Sequence, residues 1–301
     1  MTVAATPAVW TGLDHLRPDE ALAFVRELES LGFGAFWTRE GVGREPFALL
    51  SAAATATSTI RLGTAIANVY ARDPMTARAA GSTLQELSDG RFMLGLGVSH
   101  PGSVEKIRGH TYGPPREVMG RYLQALAAAD YKGPAPAVPV PVLIAALGDR
   151  MLRLAGSQTD GAIPYLFTVE ALAAARATID AAASDAGRAR PRVVLMVPVV
   201  PLEDRAAAMA AARTALGTYS SLPAYRRSYL RQGFEESDFD APGGPSERLL
   251  DAIVASGSRA DIVARLGELA SAGADELAIV PIGGDGVIGS LDAVRRLAPP
   301  W

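Results

Sequence analysis

The strand Phe92 to Val98 and the two residues after it are the part of the chain most able to do chemistry. The strand is apolar but carries Gly95 and Gly97, and glycine inside a strand often marks a place where another group approaches the backbone. It is followed by Ser99 and His100, and a histidine titrates near cellular pH. Polar residues at the carboxyl end of a parallel strand form the active site of an α/β barrel. The alternative is that the glycines serve only close packing and His100 lies on the rim.

Composition excludes several classes of function. The chain has 301 residues, 49% hydrophobic and 20% charged, with a net charge of −3 and no cysteine. There is no electrostatic case for nucleic-acid binding, and thiolate chemistry and disulfides are excluded. The three histidines lack the spacing of a metal site. We see neither a signal peptide nor an apolar run long enough for a membrane span, so we expect a cytoplasmic protein.

Strand and helix patterns alternate along the chain, which predicts a (β/α)8 barrel of the α/β class. An open doubly wound sheet is the second choice, because no Gly-x-Gly-x-x-Gly follows the first strand. The eight predicted strands are Ala8 to Thr11, Ala35 to Thr38, Arg61 to Ala67, Arg91 to Val98, Pro141 to Leu147, Gly161 to Tyr165, Arg192 to Val200 and Glu276 to Pro281. We treat residues 1–301 as one domain.

The segment Arg205 to Arg265 does not fit the repeat and is interpreted as a helical insertion between the seventh and eighth strands, beside the barrel mouth. It contains helical patterns, an acidic turn and a flexible Ala-Pro-Gly-Gly-Pro. Its aromatic residues either cover a pocket or pack the insertion onto neighbouring helices. These residues are Tyr219, Tyr225, Tyr229 and Phe234.

Six motifs in barrel order make the chain resemble the luciferase-like monooxygenase superfamily, and within it the branch of F420-dependent oxidoreductases. The resemblance covers nearly the whole chain and implies an α/β barrel with a flavin or the deazaflavin F420 at its mouth. The motifs are Gly34 to Glu40, IANVYARDP (Ile66 to Pro74), LGLGVSH (Leu94 to His100), IAALGDRMLRLAG (Ile144 to Gly156), TDGAIPY (Thr159 to Tyr165) and AGADELAIVPI (Ala272 to Ile282).

The resemblance implies a cofactor site built from strand ends. In the family the third strand ends in a bulge, often with a non-prolyl cis peptide that backs the central ring, and here that bond is Ala65–Ile66. Asn68 follows on the same rim, either facing the cofactor or capping a turn. A planar tricyclic ring needs a smooth slot, and Gly95, Gly97 and Val98 make the fourth strand smooth enough for one. Ser99, at the end of that strand, is included in the predicted cofactor site.

The cofactor phosphate is expected where the fifth strand meets its helix, because free N–H groups at a helix N-terminus bind anions. The family places the phosphate at positions matching Gly148 and Asp149. The alternative is that Gly148 only permits a tight turn. Help is expected from the sixth strand at Pro164 and Tyr165, and added charge from Arg150 and Arg153.

The chain departs from the sugar-phosphate dehydrogenases of the superfamily, which carry an Asp-His pair where Glu40-Gly41 stands here. They also carry a glutamate at the position of Val98. We therefore do not expect their substrate or mechanism. His100 is the best proton donor, followed by Tyr70 and Tyr225. Glu40 either bonds to the cofactor edge or forms a surface salt bridge with Arg39 or Arg44.

Three functions remain open. The first is an F420-dependent oxidoreductase acting on an activated C=C, C=N or C=O bond of a small organic molecule. The second is a two-component monooxygenase that uses reduced FMN, and the third is a non-catalytic barrel. The family resemblance makes a homodimer the expected assembly. We expect Trp10, Tyr225, Tyr229 and Phe234 to line the substrate pocket.

Overall fold

A computed structural model describes residues 5–240 and 243–301 of the chain. Eight strands close into a parallel barrel, which confirms the predicted fold class. Two further strands of two residues each lie beside it. In chain order the strands are β1 (Thr6–Trp10), β2 (Ala35–Thr38), β3 (Arg61–Thr64), β4 (Ala67–Asn68), β5 (Phe92–Gly97), β6 (Val142–Ala145), β7 (Gly161–Ile163), β8 (Arg192–Val200), β9 (Ala255–Ser256) and β10 (Glu276–Pro281).

Helices follow most of the strands and pack around the barrel. Many begin at an N-cap whose side chain accepts a backbone N–H, such as Asp73 before α3 and Thr168 before α6. The helices are α1 (Pro18–Ser30), α2 (Pro46–Ala56), α3 (Pro74–Leu87), α4 (Pro115–Ala128), α5 (Asp149–Gln158), α6 (Val169–Asp185), α7 (Arg205–Ser221), α8 (Pro223–Arg231), α9 (Glu236–Phe239), α10 (Glu247–Ile253), α11 (Arg259–Ser271) and α12 (Leu291–Arg296).

Side chains alternate along each barrel strand between two apolar layers. In β1, Ala8 and Trp10 face the lumen, while Val9 packs outward against the helices. In β2, Trp37 faces the lumen and Phe36 faces outward. The barrel is therefore filled with side chains rather than open along its axis.

The third strand, predicted as Arg61 to Ala67, is interrupted by a bulge. The Ala65–Ile66 peptide bond is cis, as the resemblance implies. β3 pairs with β2 and β5, and after the bulge β4 pairs with β5 alone. The bulge turns the backbone at the barrel mouth, where Ala65 donates its N–H to the Thr38 carbonyl (2.7 Å).

The segment after β5 contains a π-helical turn at Gly102–Ile107. The turn begins with a hydrogen bond from the Val104 N–H to the His100 carbonyl (3.0 Å). His100 is therefore fixed through its backbone as well as its place after the strand.

Four helices, α7 to α10, and β9 lie between β8 and α11. The predicted end of the insertion, Arg265, falls inside α11, which packs against α6 and β10 in the manner of a barrel helix. β9 pairs in parallel with the end of β8, at Val199 and Val200. Within the described ranges, none of the helices combines the length and the apolar character of a membrane span.

Candidate active site

A cavity of about 1340 Å³ opens at the carboxyl ends of the barrel strands. Twelve of the predicted site residues line it, drawn from strand ends, the α5 N-terminus and α8. They are Trp10, Glu40, Ala65, Ile66, Gly97, Val98, Ser99, His100, Gly148, Asp149, Tyr165 and Tyr225. This is the position expected of a ligand site in a parallel barrel, and the volume is larger than most small-molecule sites need.

The two glycines of β5 are required by protein packing. A Cβ at Gly95 would lie 1.9 Å from the Thr64 carbonyl oxygen, and one at Gly97 would lie 2.5 Å from Ile66 Cγ1. The groups that approach the strand at these points are therefore the bulge and its side chain. Gly97 still contributes to the cavity wall.

His100 reaches the cavity because the strand alternation stops at Ser99. Ser99 has a φ of 57°, in the left-handed region, so Val98, Ser99 and His100 all line the cavity in succession. The His100 ring lies 5.7 Å from the Tyr225 ring. Burial lowers the pKa of His100 below its ordinary value, which favours the neutral imidazole.

Trp10 and Tyr165 form the deep wall. Trp10 donates its indole N–H to the Ala65 carbonyl (2.5 Å) and so holds the bulge against the lumen. Its ring lies 6.0 Å from that of Tyr165. The buried Tyr165 hydroxyl has no hydrogen-bond partner among the described residues. Burial, with Tyr219 and Tyr225 nearby, raises the pKa of Tyr165 far above normal, so the phenol remains a donor.

Glu40 forms a largely buried ion pair with Arg72, and this corrects the expected surface pairing with Arg39 or Arg44. Its two carboxylate oxygens accept from the Arg72 guanidinium at 2.7 and 2.9 Å. One of them also accepts the Asn68 N–H (2.7 Å). The carboxylate therefore fixes β4 to the end of β2, and this engagement competes with the predicted contact to a cofactor.

Tyr70, predicted as a second proton donor, does not line the cavity. Its hydroxyl accepts the Gly113 N–H (2.9 Å), and its ring stacks on Tyr112 at 5.8 Å. Tyr112 lines the cavity instead and donates its hydroxyl to the Ser99 carbonyl (3.3 Å). No local sequence pattern marks Tyr112, which follows the π-helical turn, as a cavity residue.

Asn68 and Pro164 also lie away from the cavity. The buried Asn68 caps a turn, since its Oδ1 accepts the Tyr70 N–H (3.0 Å), which was the second of its two predicted roles. The Pro164 carbonyl accepts the Met196 N–H (3.2 Å). Both residues therefore act in the barrel framework.

The N-terminus of α5 lies at the outer end of the cavity, where Gly148, Asp149 and Arg150 line it. The first bonds of the helix run from Met151 and Leu152 to the Gly148 carbonyl, which leaves the N–H groups of Asp149 and Arg150 for a ligand. Arg231 of α8 lies over this turn and donates to the Leu147 carbonyl (2.8 Å). Its guanidinium also faces the Asp149 carboxylate and balances that charge.

Of the four aromatic residues of the insertion, two line the cavity and two pack within the insertion. Tyr219 and Tyr225 line the cavity, with ring centres 4.9 Å apart. Tyr229 and Phe234 do not line it, and this corrects their assignment to the substrate pocket. Both are buried and pack edge to face at 6.4 Å, which ties α8 to the segment after it.

Several cavity residues were missed by sequence reasoning. Arg227 and Arg231 are four residues apart on α8, and this spacing on one helix face was the available signal. His15 and Arg39 lie on the loops after β1 and β2, and Arg39 pairs with Asp14 at 3.0 Å. Nothing in their local sequence separates them from ordinary surface residues.

The residues present fit a phosphorylated, planar cofactor. The cavity has an apolar wall at Ala65 and Ile66, an unpaired buried phenol at Tyr165, and backbone donors with Arg231 at its outer end. A barrel with these features at the carboxyl ends of its strands belongs to the class of cofactor-binding α/β-barrel enzymes.

Comparison with known proteins identifies the family. The family model described as luciferase-like monooxygenase matches residues 1–276, so the chain belongs to that family, as predicted. It is 33% identical over 243 residues to an uncharacterised Mycobacterium tuberculosis protein, covering 69% of this chain and 70% of the relative. It is 27% identical over 258 residues to a putative coenzyme F420-dependent oxidoreductase of the same organism, covering 74% and 72%.

The fold has a solved counterpart. The coenzyme F420-dependent tetrahydromethanopterin reductase from Methanopyrus kandleri aligns with a TM-score of 0.79 at 20% identity, covering 100% of this chain and 98% of that one. The protein is thus an oxidoreductase of a family that includes F420-dependent enzymes.

Proposed function

We propose that this chain is an F420-dependent oxidoreductase that transfers a hydride between the deazaflavin and an activated C=C, C=N or C=O bond of a small organic substrate. The observation that carries the proposal is the continuity of one cavity from the Ala65–Ile66 bulge to the anion site of α5. The large open cavity argues against a non-catalytic barrel, in which bulky side chains would fill the cofactor slot.

Different residues of this chain bind the phosphate and the ring of the cofactor. The N–H groups of Asp149 and Arg150, the α5 dipole and Arg231 hold the phosphate. Ala65 and Ile66 form the wall behind the ring, and the Trp10 indole keeps that wall in place. The Tyr165 hydroxyl offers one further hydrogen bond inside the cavity. When bound, F420 supplies a carbon, C5, that gives or takes a hydride.

His100 moves the proton that accompanies hydride transfer. As imidazolium it donates to a substrate atom in the reducing direction, and as neutral imidazole it accepts in the oxidising direction. Because burial lowers its pKa, the accepting form dominates at neutral pH. Tyr225, whose ring lies beside that of His100, has a pKa raised by burial and remains a neutral hydrogen-bond donor.

The test is a fluorescence titration of the purified protein with F420 and, separately, with FMN. The proposal predicts saturable F420 binding at least about tenfold tighter than FMN binding, a difference of about 1.4 kcal/mol. Tighter FMN binding, with oxygen consumption by the reduced complex, would instead identify a two-component monooxygenase, because a deazaflavin does not activate oxygen.

A further inference from the structure

The cavity has a second polar end, across the barrel mouth from the N-terminus of α5. In the strand order of the barrel, β1 and β2 lie opposite β6 and β7. The loops after β1, β2 and β10 form this end together with α7. A volume of about 1340 Å³ leaves room for a substrate beside a cofactor. The polar end is lined by Asp14, His15, Arg39, Thr218, Tyr219 and Ile288.

Arg39 is held beside the bulge that forms the wall of the proposed ring site. Thr38, before it in the chain, accepts the Ala65 N–H (2.7 Å), and Glu40, after it, donates its N–H to the Ile66 carbonyl (3.1 Å). The side chain of Arg39 lines the cavity and is about half exposed. A group bound by this guanidinium therefore lies next to the ring site.

The Arg39 guanidinium occupies a space that two glycines leave open. A Cβ at Gly12 would lie 2.7 Å from Arg39 Nε, and one at Gly41 would lie 2.5 Å from Nη1. Asp14 accepts a hydrogen bond from Nη2 at 3.0 Å. Asp14 is itself fixed, because its other carboxylate oxygen accepts the Arg44 N–H (2.7 Å). The loops after β1 and β2 therefore hold the guanidinium in one place.

Most of the hydrogen-bond donors of Arg39 are free for a ligand. A guanidinium carries five N–H groups in a planar fork. Within the described residues, the bond to Asp14 is the one hydrogen bond that the Arg39 side chain forms. Burial raises the pKa of the Tyr219 hydroxyl and the nearby Arg39 offsets part of that rise, so the phenol remains a neutral donor beside the guanidinium. Such a fork matches the two oxygens of a carboxylate.

We infer that Arg39 binds a carboxylate group of the substrate, which narrows the substrate class to unsaturated or oxo acids. The inference rests on the proposed function. The cofactor phosphate lies across the mouth on α5, so the two anions do not compete for one site. An anchored carboxylate fixes the orientation of the substrate and presents its C=C, C=N or C=O bond to the ring. Because Asp14 cancels much of the net charge, selectivity comes from the paired N–H bonds.

The test is calorimetric titration of the F420-loaded protein with two unsaturated acids, crotonate and cinnamate, each compared with its primary amide. The amides keep the shape and the C=C bond and lose the charge. Wild-type protein should bind at least one acid about 3- to 10-fold more tightly than its amide, because a charge-assisted pair at a half-exposed site contributes that much. Added salt should reduce the difference.

Two variants separate the local contact from the overall charge. Arg39→Gln removes the fork, whereas Gly12→Ala keeps the charge and displaces the guanidinium with its Cβ. Both should reduce the preference for the acid to less than about twofold. Arg78→Gln is the matched control, since Arg78 is exposed on α3 and does not line the cavity. It loses the same charge and should keep the wild-type preference.

Equal affinity of the wild type for each acid and its amide would overturn the inference, and so would a preference that persists in Arg39→Gln. Failure of the proposed function gives a different result, because the F420 titration that precedes the acids then shows no binding. The same acid and amide titrations on the cofactor-free protein still decide whether Arg39 binds a carboxylate.

Discussion

His100 is placed by the backbone before it. A strand alternation continued to residue 100 would not put Val98, Ser99 and His100 on one surface, but the left-handed conformation of Ser99 does so. The sequence supported the choice of His100 because a histidine follows a barrel strand. It did not reveal the turn at Ser99, since serine rarely adopts a positive φ and carries no signal for it.

Replacing His100 tests its role in proton transfer. His100→Ala should slow turnover about 10²–10⁴-fold, because a positioned acid or base contributes that much. The dissociation constant of F420 should change little, because His100 lies away from the anion site. Steady-state kinetics and fluorescence titration together measure both effects. Unchanged turnover, or an equal loss of cofactor binding, would contradict the role.

The pH dependence should follow the lowered pKa of His100. Reduction needs the imidazolium, so its rate should fall as pH rises through a midpoint below the ordinary value of 6.5. Oxidation needs the neutral ring, so its rate should rise through the same midpoint and then level off. The pH profile of kcat in each direction measures this. If the pH profile of kcat in His100→Gln still showed the same pH-dependent change, that titration would belong to another group.

Pairing between distant residues limits what a single sequence can reveal about the site. Glu40 was weighed against its neighbours Arg39 and Arg44, but its partner Arg72 is 32 positions along the chain. The two meet because β2 and the bulge after β3 end at the same side of the barrel. Tyr112 lines the cavity in place of Tyr70 for a similar reason, since the π-helical turn that precedes Tyr112 was not recognised.

At the scale of elements, the N-terminus of α5 and the end of α8 together form the proposed anion site. The strand, turn and helix around Gly148 were predictable from their local pattern, whereas the contribution of Arg231 depends on how the insertion folds back. The insertion was recognised because it breaks the strand–helix repeat. Its packing against the mouth required the structure.

Gly148→Val should weaken F420 binding at least about tenfold, or about 1.4 kcal/mol. A Cβ at this position lies 3.1 Å from the Arg231 guanidinium, so a branched side chain displaces that group and fills the approach to the N–H groups. Fluorescence titration provides the measurement. Gly120→Val is the control, because a Cβ there meets nothing within 4 Å. Equal affinities of the two variants would remove Gly148 from the site.

At the scale of the whole molecule, the end of the barrel opposite the cavity is closed by a buried charge. Glu276 is fully buried and accepts from the Trp37 indole N–H (2.5 Å). It also pairs with Arg61 at 2.8 Å, with Arg192 farther away at 3.9 Å. Barrel closure brings β2, β3, β8 and β10 around this carboxylate. The eight alternating strand and helix patterns predicted that closure.

Glu276→Ala should lower the free energy of unfolding by about 3–5 kcal/mol, because it leaves Arg61 without its buried partner. Urea unfolding measures the change. The control is Glu268→Ala, which removes an exposed partner of Arg265 and should cost far less. A loss for Glu276→Ala as small as that of the control would show that the pair is not a significant source of stability.

The central claim is that one cavity holds a deazaflavin with its phosphate on α5. A crystal structure of the protein with F420 tests it most directly. The account predicts the phosphate within hydrogen-bond reach of the Asp149 and Arg150 N–H groups and of Arg231, with the ring against Ala65 and Ile66. A phosphate bound elsewhere, or a ring outside the barrel mouth, would contradict the account.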